Sequence, residues 1–367
     1  SGGFISANKG MLLAQNSTIE NFNNQGTIQG PQVGIETNAK INTFINNGLI
    51  KATASGEWSN GIWISANSNI QTFTNTGTLQ GGGSGIRMAG GTISTFDNKG
   101  LISGNSYNGV HIAKGTTIST LNNSNLISGK DYGVYVDTPN IDNFTNTGTI
   151  KSTNTTQNNL MIYAASGMYF SAGTIKTFTN EGLISGIIGL KTTYATTIDN
   201  FTNKGTIEAT GKIDHRTGAI SLVSIYSQTA HIKTFTNEGV LKSSSNGIVA
   251  EAGGKIDTIV NKGTIEASSN GISFYDMGGS GNQVNLGNII LEKGSSIKAG
   301  NNGINIDGIS GKPISVSGSI KVEKDATVEG TSGAGIVIGS GKEVSAQITV
   351  EGSVTGGAAG IVNEGTI

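Results

Sequence analysis

Cysteine is absent from the 367-residue chain, which excludes disulfides, Cys-ligated zinc and a thiol nucleophile. Proline occurs only 3 times, and charged residues make up 13%. The net charge is −1, and Arg87 and Arg216 are the only arginines. Nucleic-acid binding requires clustered cations, so that class is excluded. No apolar run reaches about 18 residues, so no helix is expected to cross a membrane. The start Ser1-Gly2-Gly3 carries no leader signal and reads as a mature or trimmed terminus. Hydrophobic residues, at 35%, fall below the globular norm. Disorder is nevertheless excluded, because the chain is near-neutral and rich in Ile, Val and Thr.

What is abundant is glycine, at 57 residues, and repetition. The string Ile-x-x-Phe-x-Asn-x-Gly-x-Ile begins at Ile19, Ile41, Ile70, Ile93, Ile118, Ile141, Ile175, Ile198, Ile232 and Ile256. Most gaps are near 23 residues, and the longer ones carry insertions. Phe44, Asn46, Gly48 and Ile50 are spaced by two, which is strand periodicity with one side facing inward. A second signature follows, as in Gly61-Ile62-Trp63-Ile64 and Gly109-Val110-His111-Ile112. Each repeat therefore holds about three short strands separated by Gly or Asn corners, and no helical apolar face occurs.

This pattern predicts an all-β fold: a right-handed, single-stranded parallel β-helix of about 13 coils, each with three short strands. At the inter-strand spacing it would extend for roughly 60 Å. One coil buries few Ile and Phe side chains, worth about 1.5–3 kcal/mol each. Ordering its backbone costs roughly 1–2 kcal/mol per residue. Stacking is therefore obligatory, and the inward motif must persist. The regular repeats span residues 1–272. Residues 273–367 keep the Gly-Ile signature without the Phe and read as degenerate coils. The chain stops in mid-motif at Asn363-Glu364-Gly365-Thr366-Ile367, as expected for a fragment of a longer protein.

Asn24, Asn46, Asn75, Asn98, Asn123, Asn146, Asn180, Asn203, Asn237 and Asn261 share inward parity. Buried amides need partners, so these ten are expected to form a ladder that also bonds the corner backbone. The glycine after each is expected to supply positive φ. One coil carries Asn125 in its place, and Leu121 and Ile259 replace Phe in two coils.

The strings of the type Phe-Thr-Asn-x-Gly-(Thr/Leu)-Ile-x-(Gly/Ala), as in FTNEGLISG from Phe178, resemble passenger domains of Gram-negative autotransporters. The style is closest to Campylobacter and Helicobacter autotransporter adhesins, and the resemblance covers Ile19 to Ile272. It implies a removed signal peptide, a C-terminal β-barrel absent from this chain, and a location on the bacterial surface or in the secreted fraction. The lack of cysteine suits a chain that crosses a membrane unfolded. The family includes adhesins, aggregation factors, toxins and proteases, so activity must be argued from residues.

No Gly-Asp-Ser-Gly nucleophile loop is present, and the only histidines are His111, His215 and His231. His215 follows Asp214 in an insertion, but strand neighbours point opposite ways, which opposes a triad. Asp142, Asp199 and Asp257 occupy one repeat position, alternating with Lys176 and Lys233. That reads as a solvated column with charge pairing, not as a calcium or acid–base site. GIVIGSGKE at Gly335 is a poor P-loop, with Glu343 where Ser or Thr belongs, and GGSGNQVNL at Gly278 lacks the Asp of a calcium repeat. No cofactor or metal is called for.

Two features could bind partners. The corner after the second strand is enlarged at 51–60, 151–166 and 208–217, and these loops are expected to protrude with Trp58, Tyr163, His215 and Arg216. A further loop follows the third strand at 223–230. Counting two residues past each signature Gly gives a column expected to face solvent: Glu36, Trp63, Arg87, His111, Tyr135, Tyr169 and Lys191, continuing as Ile220, Val249, Ser273 and Asn305. Aromatic faces beside donors suit sugars or an extended peptide, although exposed aromatics also simply suit strands. The resulting expectation is a non-enzymatic adhesin or autoaggregation passenger. Its partner would be a host-cell protein or glycan, or a neighbouring copy. A vacuolating-type toxin passenger is the alternative, and a glycan-active β-helix enzyme the least supported.

Overall fold

The computed structural model describes residues 3–156, 165–223, 229–251, 253–275, 285–307, 315–339, 343–344 and 347–365. It is an all-β parallel solenoid of about 13 turns, with no helix among the described residues. Contacts divide it into two compact units. The first contains residues up to 155 with 165–178 and 182–186, and the second contains 179–181 and residues from 187 onward.

A typical coil of the first unit runs through Lys40–Asn46, Leu49–Ala52 and Asn60–Ile64. The next runs through Asn69–Asn75, Thr78–Gly81 and Ile86–Met88. Like residues face like residues in parallel register: Ile41 with Ile70, Phe44 with Phe73, Asn46 with Asn75, Ile50 with Leu79, and Ile62 with Ile86. The repeat length therefore sets the register, and each inward Ile, Leu or Phe lands on its counterpart one coil away. In the second unit Phe201 faces Phe235, then Ile259, then Ile289 and Ile320.

The core is a set of axial columns. Phe22, Phe44, Phe73 and Phe96 stack with ring centroids 4.5–4.8 Å apart and interplanar angles of 2–21°. Offset stacking at that spacing adds to area burial. Leu121 ends this run, and Phe144 meets Phe178 tilted at 57°. Alternating side chains point outward, where Asp142 pairs with Lys176 and Asp199 with Lys233, each at 2.6 Å. These exposed pairs contribute little individually.

The asparagine ladder forms as the parity requires. In the first unit the Nδ2 of each Asn donates to the Oδ1 of the next, from Asn24 through Asn46, Asn75, Asn98 and Asn123 to Asn146, at 2.7–2.8 Å. The second unit repeats this from Asn180 through Asn203 and Asn237 to Asn261 at 2.8 Å. The same amide also reaches backbone, as when Asn98 bonds the Gly100 carbonyl at 3.0 Å. The ladder stops where Asn261 faces Leu291.

The reason for the motif glycine differs from expectation. None of these corner glycines has positive φ; the positive-φ set is Gly56, Gly90, Gly91, Gly115, Gly173, Gly253 and Gly294. A Cβ at Gly77 would instead fall on the carbonyl oxygen of Gly48, and one at Gly48 on that of Gly26. Glycine is required because successive corners stack backbone on backbone.

Candidate binding surface

The third strands carry the outward column. In the first unit the register aligns Leu12, Glu36, Trp63, Arg87, His111 and Tyr135, and the Tyr169 ring stacks on Tyr135 at 5.2 Å. In the second it aligns Lys191, Ser221, Val249, Ser273 and Asn305. Ile220 therefore does not belong to the column. Ala219 takes the position of the signature glycine, so Ile220 faces Leu190 in the core and Ser221 points outward.

The column is not uniformly exposed. Glu36, Trp63, Arg87 and Tyr135 are half-buried, but His111 and Tyr169 are each 8% exposed and Lys191 is 0% exposed. The expected solvent-facing stripe is thus corrected at these three positions and again at Val249, Ser273 and Asn305, which are 1%, 0% and 5% exposed. The enlarged corners explain part of the difference. At 51–60 and 208–217 the loops send side chains back across the third-strand face instead of simply protruding. Tyr163, assigned to the third enlarged corner, lies outside the described residues.

In the first unit, Trp58 from the 51–60 corner stacks on Trp63 with centroids 5.5 Å apart and planes 25° apart. The Arg87 guanidinium lies 4.8 Å from the Trp58 ring centre and 5.5 Å from that of Trp63. It is held by Glu57 at 2.8 Å. This is a cation–π arrangement completed by an ion pair. Trp58 remains 59% exposed. One coil over, Lys9 and Glu36 pair at 2.7 Å. Trp58, Trp63, Lys9, Glu36, Gln32 and Ser65 line a groove of about 580 Å³.

Further along the same unit, His111 lies 4.7 Å from the Tyr135 ring. Tyr132, a residue that counting from the signature Gly overlooks, packs 5.4 Å from Tyr135 and 5.0 Å from Tyr169. Unlike Trp58, it lies within a third strand, as the first residue of Tyr132–Asn146, paired with Asn108. Burial, and then the positive charge of Arg87, lower the His111 pKa to about 3. His111 is a neutral packing residue at physiological pH.

In the second unit, Arg216 belongs to a half-buried ionic cluster. Its guanidinium bonds Asp214 at 2.7 and 3.0 Å and approaches Glu251 at 3.6 Å. Its carbonyl accepts from the Ser221 hydroxyl, and the His215 carbonyl accepts from Asn246. The His215 ring packs against Tyr275. The Asp214 carboxylate is thus committed to Arg216, not to His215. Burial pushes the Lys191 amine down to about 7 and the Glu251 carboxyl up to about 7, with Arg216 acting oppositely on Glu251. The enlarged corner here builds an internal polar cover rather than an open aromatic surface.

Among the described residues no group of three or more His, Cys, Asp or Glu side chains is placed to hold a metal ion. Among the described residues no helix is long and apolar enough to cross a membrane. No protein-family profile, curated protein or solved structure matches the chain.

Proposed function

We propose that this chain acts as a non-enzymatic adhesin, displayed as an autotransporter-type passenger on the bacterial surface or in the secreted fraction. The reading combines the repeat motif's resemblance to such passengers with one observation. Trp58 is held in place by Trp63, Arg87 and Glu57 while most of its surface stays in water. A large exposed aromatic fixed by stacking and an ion pair is a feature of binding surfaces, because its ordering cost is met before any partner arrives. The solenoid interior is filled by repeated Ile, Phe and Asn, so partner recognition falls to the outer face of the third strands. The β-barrel partner that the resemblance implies would lie outside the sequence described.

The test is binding of the isolated chain to epithelial cells, read by flow cytometry, beside aggregation of bacteria that display it. Replacing Trp58 and Trp63 together by Ser is expected to weaken cell binding at least about tenfold, the scale of an interface hot spot. The thermal transition should be retained. Cell binding unchanged by that pair of substitutions would remove the surface from consideration.

A further inference from the structure

We infer that the Trp58–Trp63 groove is a lectin-like site for a neutral hexopyranose oligosaccharide; this rests on the adhesin reading and gives its partner a chemical class. A pyranose such as a β-galactoside or β-glucoside offers a flat C–H face and a rim of hydroxyls. The C–H face carries slight positive charge and stacks on the negative face of an indole. The exposed Trp58 presents that face, and Trp63 with the Arg87–Glu57 pair holds it from behind. The groove of about 580 Å³ lies within the roughly 300–1,000 Å³ span of small-ligand sites. Its rim supplies the Glu36 carboxylate as acceptor, the Lys9 ammonium as donor, and the Gln32 amide and Ser65 hydroxyl as both.

Two observations narrow the ligand further. The four charges at the site are two internal pairs, Lys9 with Glu36 and Arg87 with Glu57. They cancel, so no unpaired cation awaits the carboxylate of a sialic acid or a sulfate group. The neighbouring backbone is also committed. Asn60–Ile64 is in parallel register with Val33–Thr37 on one side and Ile86–Met88 on the other. A peptide therefore finds no sheet edge to extend, whereas a sugar needs only ring faces and side-chain polar groups.

The chain's 2 tryptophans are Trp58 and Trp63, so tryptophan emission, excited selectively over tyrosine, reports this groove alone. We would titrate the full chain with lacto-N-neotetraose, cellotetraose and sialylated lacto-N-neotetraose. In parallel we would measure binding to epithelial cells treated with mild periodate, which cleaves the sialic acid side chain, or with exhaustive periodate, which opens hexopyranose rings. The expected result is a saturable tryptophan signal with at least one neutral tetrasaccharide. Its affinity should change less than about twofold with added salt, weaken at least about tenfold in Trp58→Ala, and be largely kept in Trp58→Phe. Cell binding should survive mild periodate and disappear after exhaustive treatment. Tighter, salt-sensitive binding of the sialylated sugar would overturn the neutral assignment. Cell binding that persists after exhaustive periodate would overturn the glycan assignment while leaving adhesion intact. Absence of both cell binding and a fluorescence response would remove the adhesin reading with it.

Discussion

Replacing Asn98 by Ala probes how much of the fold depends on the amide ladder. Asn98 accepts from Asn75 at 2.8 Å and donates to Asn123 at 2.7 Å and to the Gly100 carbonyl at 3.0 Å. It is 1% exposed, so water does not replace these partners. A buried group left stranded when its partner is removed costs about 1–3 kcal/mol. The change leaves one Asn75 donor and one Asn123 acceptor facing a methyl group, so a loss of about 2–6 kcal/mol is expected. Asn24, at the first rung, donates to Asn46 at 2.8 Å but accepts only from the Gly26 amide. Its Ala variant strands only the Asn46 acceptor within the ladder and should lose about 1–3 kcal/mol. Urea unfolding of the full chain, followed by far-UV dichroism, measures both. Native-state hydrogen exchange shows whether the coils on either side of residue 98 open first, as a solenoid held by neighbour contacts requires. If the two variants are equally stable to within about 0.5 kcal/mol, cooperation along the ladder is refuted.

Gly77→Ala should cost about 3 kcal/mol or more by overpacking, since its Cβ would fall on the Gly48 carbonyl oxygen. Its melting temperature should drop well below that of wild type. His111 has a folded pKa of about 3 against an ordinary value of 6.5, so its contribution is present above about 6.5 and lost as pH falls toward 3. The wild type should lose up to about 4 kcal/mol across that window relative to His111→Phe, as read by urea titrations at a series of pH values. Lys191, lowered from 10.5 to about 7, makes a contribution that is present above about 10.5 and lost as pH falls from there to about 7. The stability difference between Lys191→Met and wild type should therefore move in the variant's favour on acidification, and a flat difference would show that the amine is not desolvated.

Different parts of this molecule were legible to different degrees in its sequence. The inward face is set by chemistry that repeats: a Phe must meet a Phe or an aliphatic residue, and a buried amide must meet another. The columns of Ile41, Phe44 and Asn46 could therefore be placed from spacing alone. The corner glycines were correctly placed but for a different physical reason, because backbone approach between coils is a property of the stack and not of one turn. The outward column was harder. Alternation shows that Lys191 points away from the core, but not that Asp214 and Arg216 from an enlarged corner will lie over it. Tyr132 was missed because alternation from the buried Val134 assigns it the inner face, whereas its ring packs against Tyr135 and Tyr169.

The same division bears on how such a surface can change. Within a coil, replacing an inward residue disturbs two neighbouring coils at once, as Asn98 does through Asn75 and Asn123. An insertion at the corner before the third strand disturbs neither, because the ladders on both sides resume their register. At 51–60 that freedom places Trp58 beside Trp63 and leaves an indole in water. At 208–217 it places Arg216 between Asp214 and Glu251 over a column that no longer reaches solvent. One scaffold position thus yields an open aromatic groove or a closed ionic cover, depending on what the corner and the column beside it carry. Exchanging the two corners is the sharpest check. Grafting 51–60 in place of 208–218, with Ser221 replaced by Trp, Lys191 by Glu and Val249 by Arg to match Trp63, Glu36 and Arg87, should create a second indole pair with the exposure of Trp58. A folded graft whose added tryptophans remain shielded from acrylamide quenching would refute the idea that the corner and its column together decide what is displayed.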